Sequence, residues 1–236
     1  GEYWLKADYS QQEPRLLTHW ACLVGQLGAE QVKEAYKKSD LDFHQQTADM
    51  AGVERRLAKT IGLGVMYGMG YNKMARELDI DPQDAKKMLA DFRERVPFMQ
   101  GMLEAVMNRA NSKGIIRTLL GRKCRFDLWE PTQWGVHKAL PHNQAKVEYG
   151  EAIKRAGTYK ALNRLIQGSA ADQTKKAMVD VYEELGVVPL IQVHDELDCS
   201  VKGEKEAKEI QRVMETCVEL EVPSKADIDL GESWGG

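Results

Sequence analysis

The sequence predicts an α+β fold in which a block of helices is inserted into a small antiparallel sheet. Three observations predict it. The chain opens on a strand-like alternation around Tyr3, Leu5 and Ala7. A long stretch of helix-period segments follows, and two short strand-like runs return near the end, joined through His194-Asp195-Glu196. Strands at both ends of the chain with helices between them suit one sheet that the middle of the chain interrupts.

Element by element, Glu2 to Tyr9 reads as a strand ending at Asp8, and a helix is expected from about Glu13 to Val24. Pro14 fits its first turn, where a missing N–H costs nothing. Ala29 to Lys37 reads as a short polar helix, and Asp42 caps another through Met50. Val53 to about Gly68 reads as a helix, although it carries Gly62, Gly64 and Gly68. Each interior glycine costs about 1 kcal/mol relative to alanine, so three of them predict a close approach to this backbone.

Asp79 to Val96 and Phe98 to Lys113 read as two helices separated by Pro97. Ile115 to Leu119 and Lys123 to Phe126, joined through Gly121, read as a β-hairpin. Val136 to Ala156 is apolar-periodic and predicts a helix; Tyr159 to Leu185 predicts a longer one, closed by Gly186. Val187 to Val193 and Leu197 to Val201 predict two strands, Glu204 to Leu220 an amphipathic helix, and Ala226 to Leu230 a last strand.

The 236 residues, 43% hydrophobic and 29% charged, suffice for one large domain or two small ones with a proper core. No apolar run approaches the roughly 20 residues of a helical membrane span. The first residues, Gly1-Glu2-Tyr3-Trp4, carry neither a signal peptide nor an initiator Met, so a processed or trimmed piece is expected. Cys22, Cys124, Cys199 and Cys217 form no CxxC, which disfavours structural zinc. A reduced cytoplasmic compartment is the simplest expectation, with a disulfide as the alternative. The formal net charge of −3 argues mildly against nucleic acid. Placement matters more than the sum: Arg55, Arg56 and Lys59 cluster in one place, and Arg117, Arg122, Lys123 and Arg125 in another.

The chemistry-bearing candidates begin with two aspartates. Asp8 ends a strand and Asp195 sits at a tight turn between strands, nearly the whole chain away. Two carboxylates meeting at sheet ends suit a hard divalent cation, although two unrelated solvated aspartates would look the same in isolation. Arg55, Lys59, Leu63 and Tyr67 follow one another at intervals of four and share one slowly drifting helix face. Cations at one end and an apolar or aromatic group at the other suit a nucleotide. The alternative is a solvated charged helix whose Leu63 and Tyr67 lie in the core.

Three segments carry a family resemblance. Asp8-Tyr9-Ser10-Gln11-Gln12-Glu13-Pro14-Arg15 resembles motif A of the family A DNA polymerases, D-Y-S-x-x-E-x-R. Arg55 to Gly68, with Arg55, Lys59, Gly64, Tyr67 and Gly68 in that order, resembles motif B. Gln192-Val193-His194-Asp195-Glu196-Leu197 resembles motif C, V-H-D-E, and all three stand in the family's order. Asn163, Gln167, Gly168, Ala170, Ala171 and Asp172 are similar to the family's N-x-x-x-Q-G-x-A-A-D helix, and Gly231-Glu232-Ser233-Trp234 to its C-terminus. The likeness covers Asp8 to Trp234. The chain departs from the pattern at Leu63, where Phe or Tyr is usual, at Gly62, where Asn is usual, and over Trp129 to Ala156.

The resemblance implies a bacterial polymerase I-like or phage-type enzyme acting in the cytoplasm of a bacterium or an infected cell. Residues 1–28 and 114–236 would form its palm and 29–113 its fingers, with thumb and exonuclease lacking. It implies template-directed DNA synthesis by two-metal phosphoryl transfer. Asp8, Asp195 and the Tyr9 carbonyl would hold two Mg²⁺ ions, with Glu196 supporting them or carrying no role. Arg55, Lys59 and His44, the last within Asp42-Phe43-His44, would meet the triphosphate. Leu63 would lie against base and sugar, Tyr67 near the templating base, and Glu13 against the sugar as a steric gate.

Asn163 and Gln167 would read the minor groove, and His194 would touch the primer end. The Arg117–Arg125 hairpin is equally a phosphate contact or a solvated turn. The partners implied are primer–template DNA, deoxynucleoside triphosphates and an N-terminal polymerase fragment carrying the thumb; no membrane is implied. The alternative is a non-catalytic fragment that needs a partner chain. Glu13 and the complete V-H-D-E argue against a related single-subunit RNA polymerase.

Overall fold

A computed structural model describes residues 2–38, 42–133 and 135–234. In chain order the elements are β1 (Tyr3–Tyr9), α1 (Gln12–Leu23), α2 (Ala29–Lys38), α3 (Phe43–Ala51), α4 (Arg55–Met66), α5 (Tyr71–Leu78), α6 (Pro82–Arg95) and α7 (Pro97–Lys113). There follow β2 (Ile115–Arg117), β3 (Lys123–Arg125), β4 (Leu128–Pro131), β5 (Leu140–Pro141), α8 (His142–Tyr149) and β6 (Ile153–Arg155). A 3₁₀ turn over Thr158–Lys160 leads into α9 (Ala161–Leu185), then β7 (Ile191–Val193), β8 (Glu196–Val201), α10 (Glu204–Thr216) and β9 (Ala226–Gly231).

The chain forms two compact units. The first is Gly1–Phe43 with Ile166–Gly236, and the second, His44–Leu165, is inserted into it. The α+β class with an inserted helical block is thus what the molecule has. The seams fall at 43/44 and 165/166, so residues 29–43 go with the sheet and 114–165 with the inserted block, which differs from the bounds the motifs suggested.

The first unit is built on one antiparallel sheet, ordered β7-β8-β1-β9. Alternation sorts its two faces. Leu5, Ala7 and Tyr9 of β1 join Leu197, Cys199 and Val201 of β8 in a core closed by Ala177 and Val181 of α9 and Ile210 and Val213 of α10. The opposite face is polar, because Lys6 and Asp8 alternate with those apolar residues. The Gln12 amide of α1 donates to Gln173 Oε1 and Thr174 Oγ1 at 3.2 Å each, and Trp20 Nε1 donates to Ser169 Oγ at 3.3 Å, so α1 is tied to α9.

In the second unit α4 lies on α7, and α5 on α6. The close approach that the α4 glycines predict is found. A Cβ at Gly62 would meet Met99 Cε at 3.6 Å, one at Gly64 would meet Met69 Sδ at 3.0 Å, and one at Gly68, where φ is +69°, would lie 2.8 Å from the Tyr159 carbonyl oxygen.

Four expectations are corrected. Val136 to Ala156 is not one helix: β5, the short α8 and β6 occupy it, and β4 pairs with both β5 and β6. The apolar period there was misleading because Val136 and Val147 are almost fully exposed, while Pro141 precedes α8 and Gly150, at φ +77°, closes it. A helix, α5, precedes the expected start at Asp79, which instead caps α5 in the left-handed region and is followed by α6 from Pro82. The strand expected from Val187 is only β7, Ile191–Val193, and α10 stops at Thr216.

Candidate active site

The register of the sheet assembles the acidic residues. Asp8 stands opposite Glu196 on β8 and opposite Asp227 on β9. Directly opposed residues share a face, so these three carboxylates emerge on the same, polar side. Asp195 is brought in by the turn between β7 and β8. Val193 pairs with Glu196, leaving His194 and Asp195 as a two-residue turn, with His194 in the left-handed region at φ 54°. The Gln192 side chain donates to the His194 carbonyl at 2.8 Å, and the Tyr9 amide donates to the Asp195 carbonyl at 3.4 Å.

Crowding shows in the electrostatics. Burial first, then Asp195, Glu196 and Asp227, push the Asp8 carboxyl up to about 6. The Glu196 carboxyl is also raised, by burial and then Asp198, with the Lys6 ammonium opposing. Carboxylates that repel one another in this way gain from a shared counter-ion.

The segment after Asp8 is held by Arg15. Its buried guanidinium donates to the Ser10 carbonyl at 2.9 Å and to the Pro223 carbonyl at 2.7 Å, and lies 4.5 Å from the centre of the Tyr36 ring. The Ser10 amide donates to the Lys225 carbonyl at 2.9 Å, and Gln11 takes a left-handed φ of 53° at the head of α1. Tyr9 points its hydroxyl into the core, donating to the Met214 carbonyl at 2.6 Å.

Beside the carboxylates lies a cleft of about 670 Å³ lined by Gln12, Glu13, Gln167, Ala170, Ala171, Gln192, His194 and Asp195. Four candidates from the sequence, Glu13, Gln167, His194 and Asp195, therefore surround one cavity of the first unit. Asn163 lies one turn before Gln167 on α9, and its buried Oδ1 accepts no hydrogen bond from the described residues.

In the second unit, α4 buries Ala58, Ile61, Gly62, Val65 and Met66 and turns Arg55, Lys59 and Tyr67 outward, with Leu63 half-buried among them. The row that spacing predicted is thus the solvent-facing stripe, and Tyr67, 37% exposed, is not a core residue. Arg55 opens the helix, where backbone amides favour anions. His44 is half-buried at the start of α3. Sequence reasoning gave no role to Gln12, Gln192 or Asp227. Gln12 stands inside the motif A run and Gln192 inside the motif C run, but only cross-strand register reveals Asp227.

The model of DNA polymerase family A matches residues 1–236. The chain is 37% identical over 279 aligned residues to a DNA-directed DNA polymerase of Pseudomonas phage M6, covering 100% of this chain and 38% of that one. It is 31% identical to the thermostable DNA polymerase I of Thermus aquaticus, covering 99% of this chain and 27% of the relative. A solved structure, the POL domain of Pol1 from M. smegmatis in complex with DNA primer-template and dNTP, aligns with a TM-score of 0.77 at 29% identity. That alignment covers 98% of this chain and 40% of the solved one. The chain belongs to DNA polymerase family A. No helix among the described residues is long and apolar enough to cross a membrane.

Proposed function

We propose that the chain carries the catalytic centre of a template-directed DNA polymerase, which adds deoxynucleoside triphosphates to a primer 3′-hydroxyl. The observation that carries this is the register that sets Asp8 against Glu196 and Asp227 while the Tyr9 amide holds the Asp195 turn beside them. The family relationship gives that arrangement its chemistry.

Asp8 and Asp195, with the Tyr9 carbonyl, are the groups to hold two Mg²⁺ ions. The fit rests on the donor set. Mg²⁺ takes hard oxygen ligands, commonly one or two carboxylates completed by substrate phosphates. Among the described residues no three His, Cys, Asp or Glu side chains are grouped to hold a metal ion. Held there, Mg²⁺ would supply Lewis acidity to the attacking hydroxyl and charge neutralisation to the triphosphate. Glu196 supports Asp8 from the facing strand.

In the first unit, Glu13 at the cleft would crowd the sugar 2′ position and select deoxynucleotides. Gln167 would donate to the N3 and O2 acceptors that every base pair presents in the minor groove, as would Asn163, a turn earlier on α9 and part of the second unit. His194 would steady the primer end. In the second unit, Arg55, Lys59 and His44 would take the triphosphate, with Leu63 against base and sugar and Tyr67 near the templating base. These assignments make the first unit a palm and the α4 region part of the fingers.

The relatives are much longer than this chain, and the reading includes a further polypeptide stretch that supplies the thumb. Phosphate contacts provide most non-specific DNA affinity, and a chain of net charge −3 offers few of them. Titrating labelled primer–template tests this: weak, salt-sensitive binding is expected of the chain alone. Tight binding at physiological salt with multi-nucleotide extension would show a self-sufficient polymerase instead.

A further inference from the structure

The polar face of the sheet holds a charge pair that none of the assigned roles uses. Lys6 stands opposite Asp198 on β8 and opposite Asp229 on β9. It lies two residues before Asp8, as Asp198 lies two residues after Glu196, so the pair sits one step along the same face, about 7 Å below the Asp8–Glu196 pair. Asp198 is fully buried, with Trp234 and Glu196 in hydrogen-bonding reach of its carboxyl. Neither brings a positive charge, and a buried carboxylate is costly unless one compensates it. Lys6 is the cation that faces it from the adjoining strand.

We propose that Lys6 and Asp198 form an opposed charge pair that sets the potential beneath the metal-binding carboxylates, and with it the divalent-cation affinity of the site. Both are tuning residues; neither touches substrate. The inference rests on the reading of Asp8 and Asp195 as metal ligands. A unit charge roughly one strand step from a divalent ion, on a partly solvated sheet face, changes its binding by roughly three- to tenfold. The signs are opposite. Loss of the lysine charge deepens the negative potential and tightens the metal; loss of the aspartate charge weakens it.

The test is direct Mn²⁺ binding to the whole chain, followed by the paramagnetic resonance signal of the free ion at pH 8 and low salt. Lys6→Met is expected to tighten binding roughly three- to tenfold, and Asp198→Asn to loosen it by a similar factor. The double variant is expected to return close to wild type, and Lys6→Arg to match it. A purely structural role would make both single variants bind more weakly, and that result, or no shift in either, overturns the proposal. Should Asp198→Asn not fold, Lys6→Glu serves in its place. It must bind tighter still than Lys6→Met, and equal or weaker binding overturns the proposal. Asp8→Ala separates the two layers. Binding lost in Asp8→Ala but unmoved in Lys6→Met refutes only the tuning role, whereas wild-type binding in Asp8→Ala refutes the metal site and this inference with it.

Discussion

The Tyr9 amide donates to the Asp195 carbonyl at 3.4 Å, tying the end of the first strand to a turn nearly the whole chain away. Through that bond, and through the pairing of Asp8 with Glu196, residues from both ends of the sequence meet where the two central strands of one sheet end. The chemistry proposed for the chain depends on those strands staying in register.

Arg15 is expected to hold the register rather than bind substrate. Arg15→Lys keeps the charge but loses the planar fork that reaches the Ser10 and Pro223 carbonyls together. A buried carbonyl left without its donor makes the loss roughly 2–4 kcal/mol. Urea denaturation of the two proteins measures it. A difference below about 0.5 kcal/mol, the range of an ordinary surface substitution, would show that the guanidinium is dispensable.

The acidic strand ends predict a pH dependence in the metal-free chain. Burial and its acidic neighbours raise the Asp8 carboxyl to about 6 in the folded state, above the ordinary carboxyl range. Protonated Asp8 therefore favours the fold, fully so below pH 4, and this contribution is lost as pH rises through about 6. Thermal unfolding in EDTA at pH 5 and pH 7.5 reads the effect. The wild type is expected to fall further between the two than Asp8→Asn does, and parallel curves would contradict it.

Much of this arrangement is legible in the sequence. Alternation with a turn at Asp195 gives the strands, and intervals of four give the outward row of α4. What was not legible depends on partners distant in sequence. Val136 and Val147 keep a helical period yet face solvent, so a pattern without burial suggested a helix where β5, α8 and β6 stand. α5 was missed because Asp79 looks like a helix start, whereas its left-handed backbone ends one. At the site, the residues around the cleft came from the family pattern. Asp227 and the Lys6–Asp198 pair became visible only when cross-strand register fixed which residues share a face.

Glu13 lines the cleft beside Asp195. Glu13→Ala is expected to raise ribonucleotide use on the order of a hundredfold relative to deoxynucleotides, as removal of a steric block within a packed sugar site should. Competition between matched deoxy- and ribonucleoside triphosphates in single-nucleotide addition measures it. An unchanged ratio removes the gate role.

Leu63 sits in the α4 row where a ring would stack on the nucleotide. Aromatic contacts add about 0.5–1.5 kcal/mol beyond area burial. Leu63→Phe is therefore expected to raise nucleotide affinity a few-fold, read from the concentration dependence of single-turnover addition. No gain in affinity or rate would mean that Gly62 and its neighbours are already fitted to leucine.

The central claim is that Asp8 and Asp195 together carry the chemistry. The measurement is primer extension with Mg²⁺ by this chain supplemented with an N-terminal family A fragment that carries the thumb. Wild type, Asp8→Ala and Asp195→Ala are compared after circular dichroism has shown that all three are folded. Extension is expected from the wild type, with a loss on the order of a thousandfold or more in each variant, since each carboxylate would serve both ions. Extension at the wild-type rate in either variant would contradict the account.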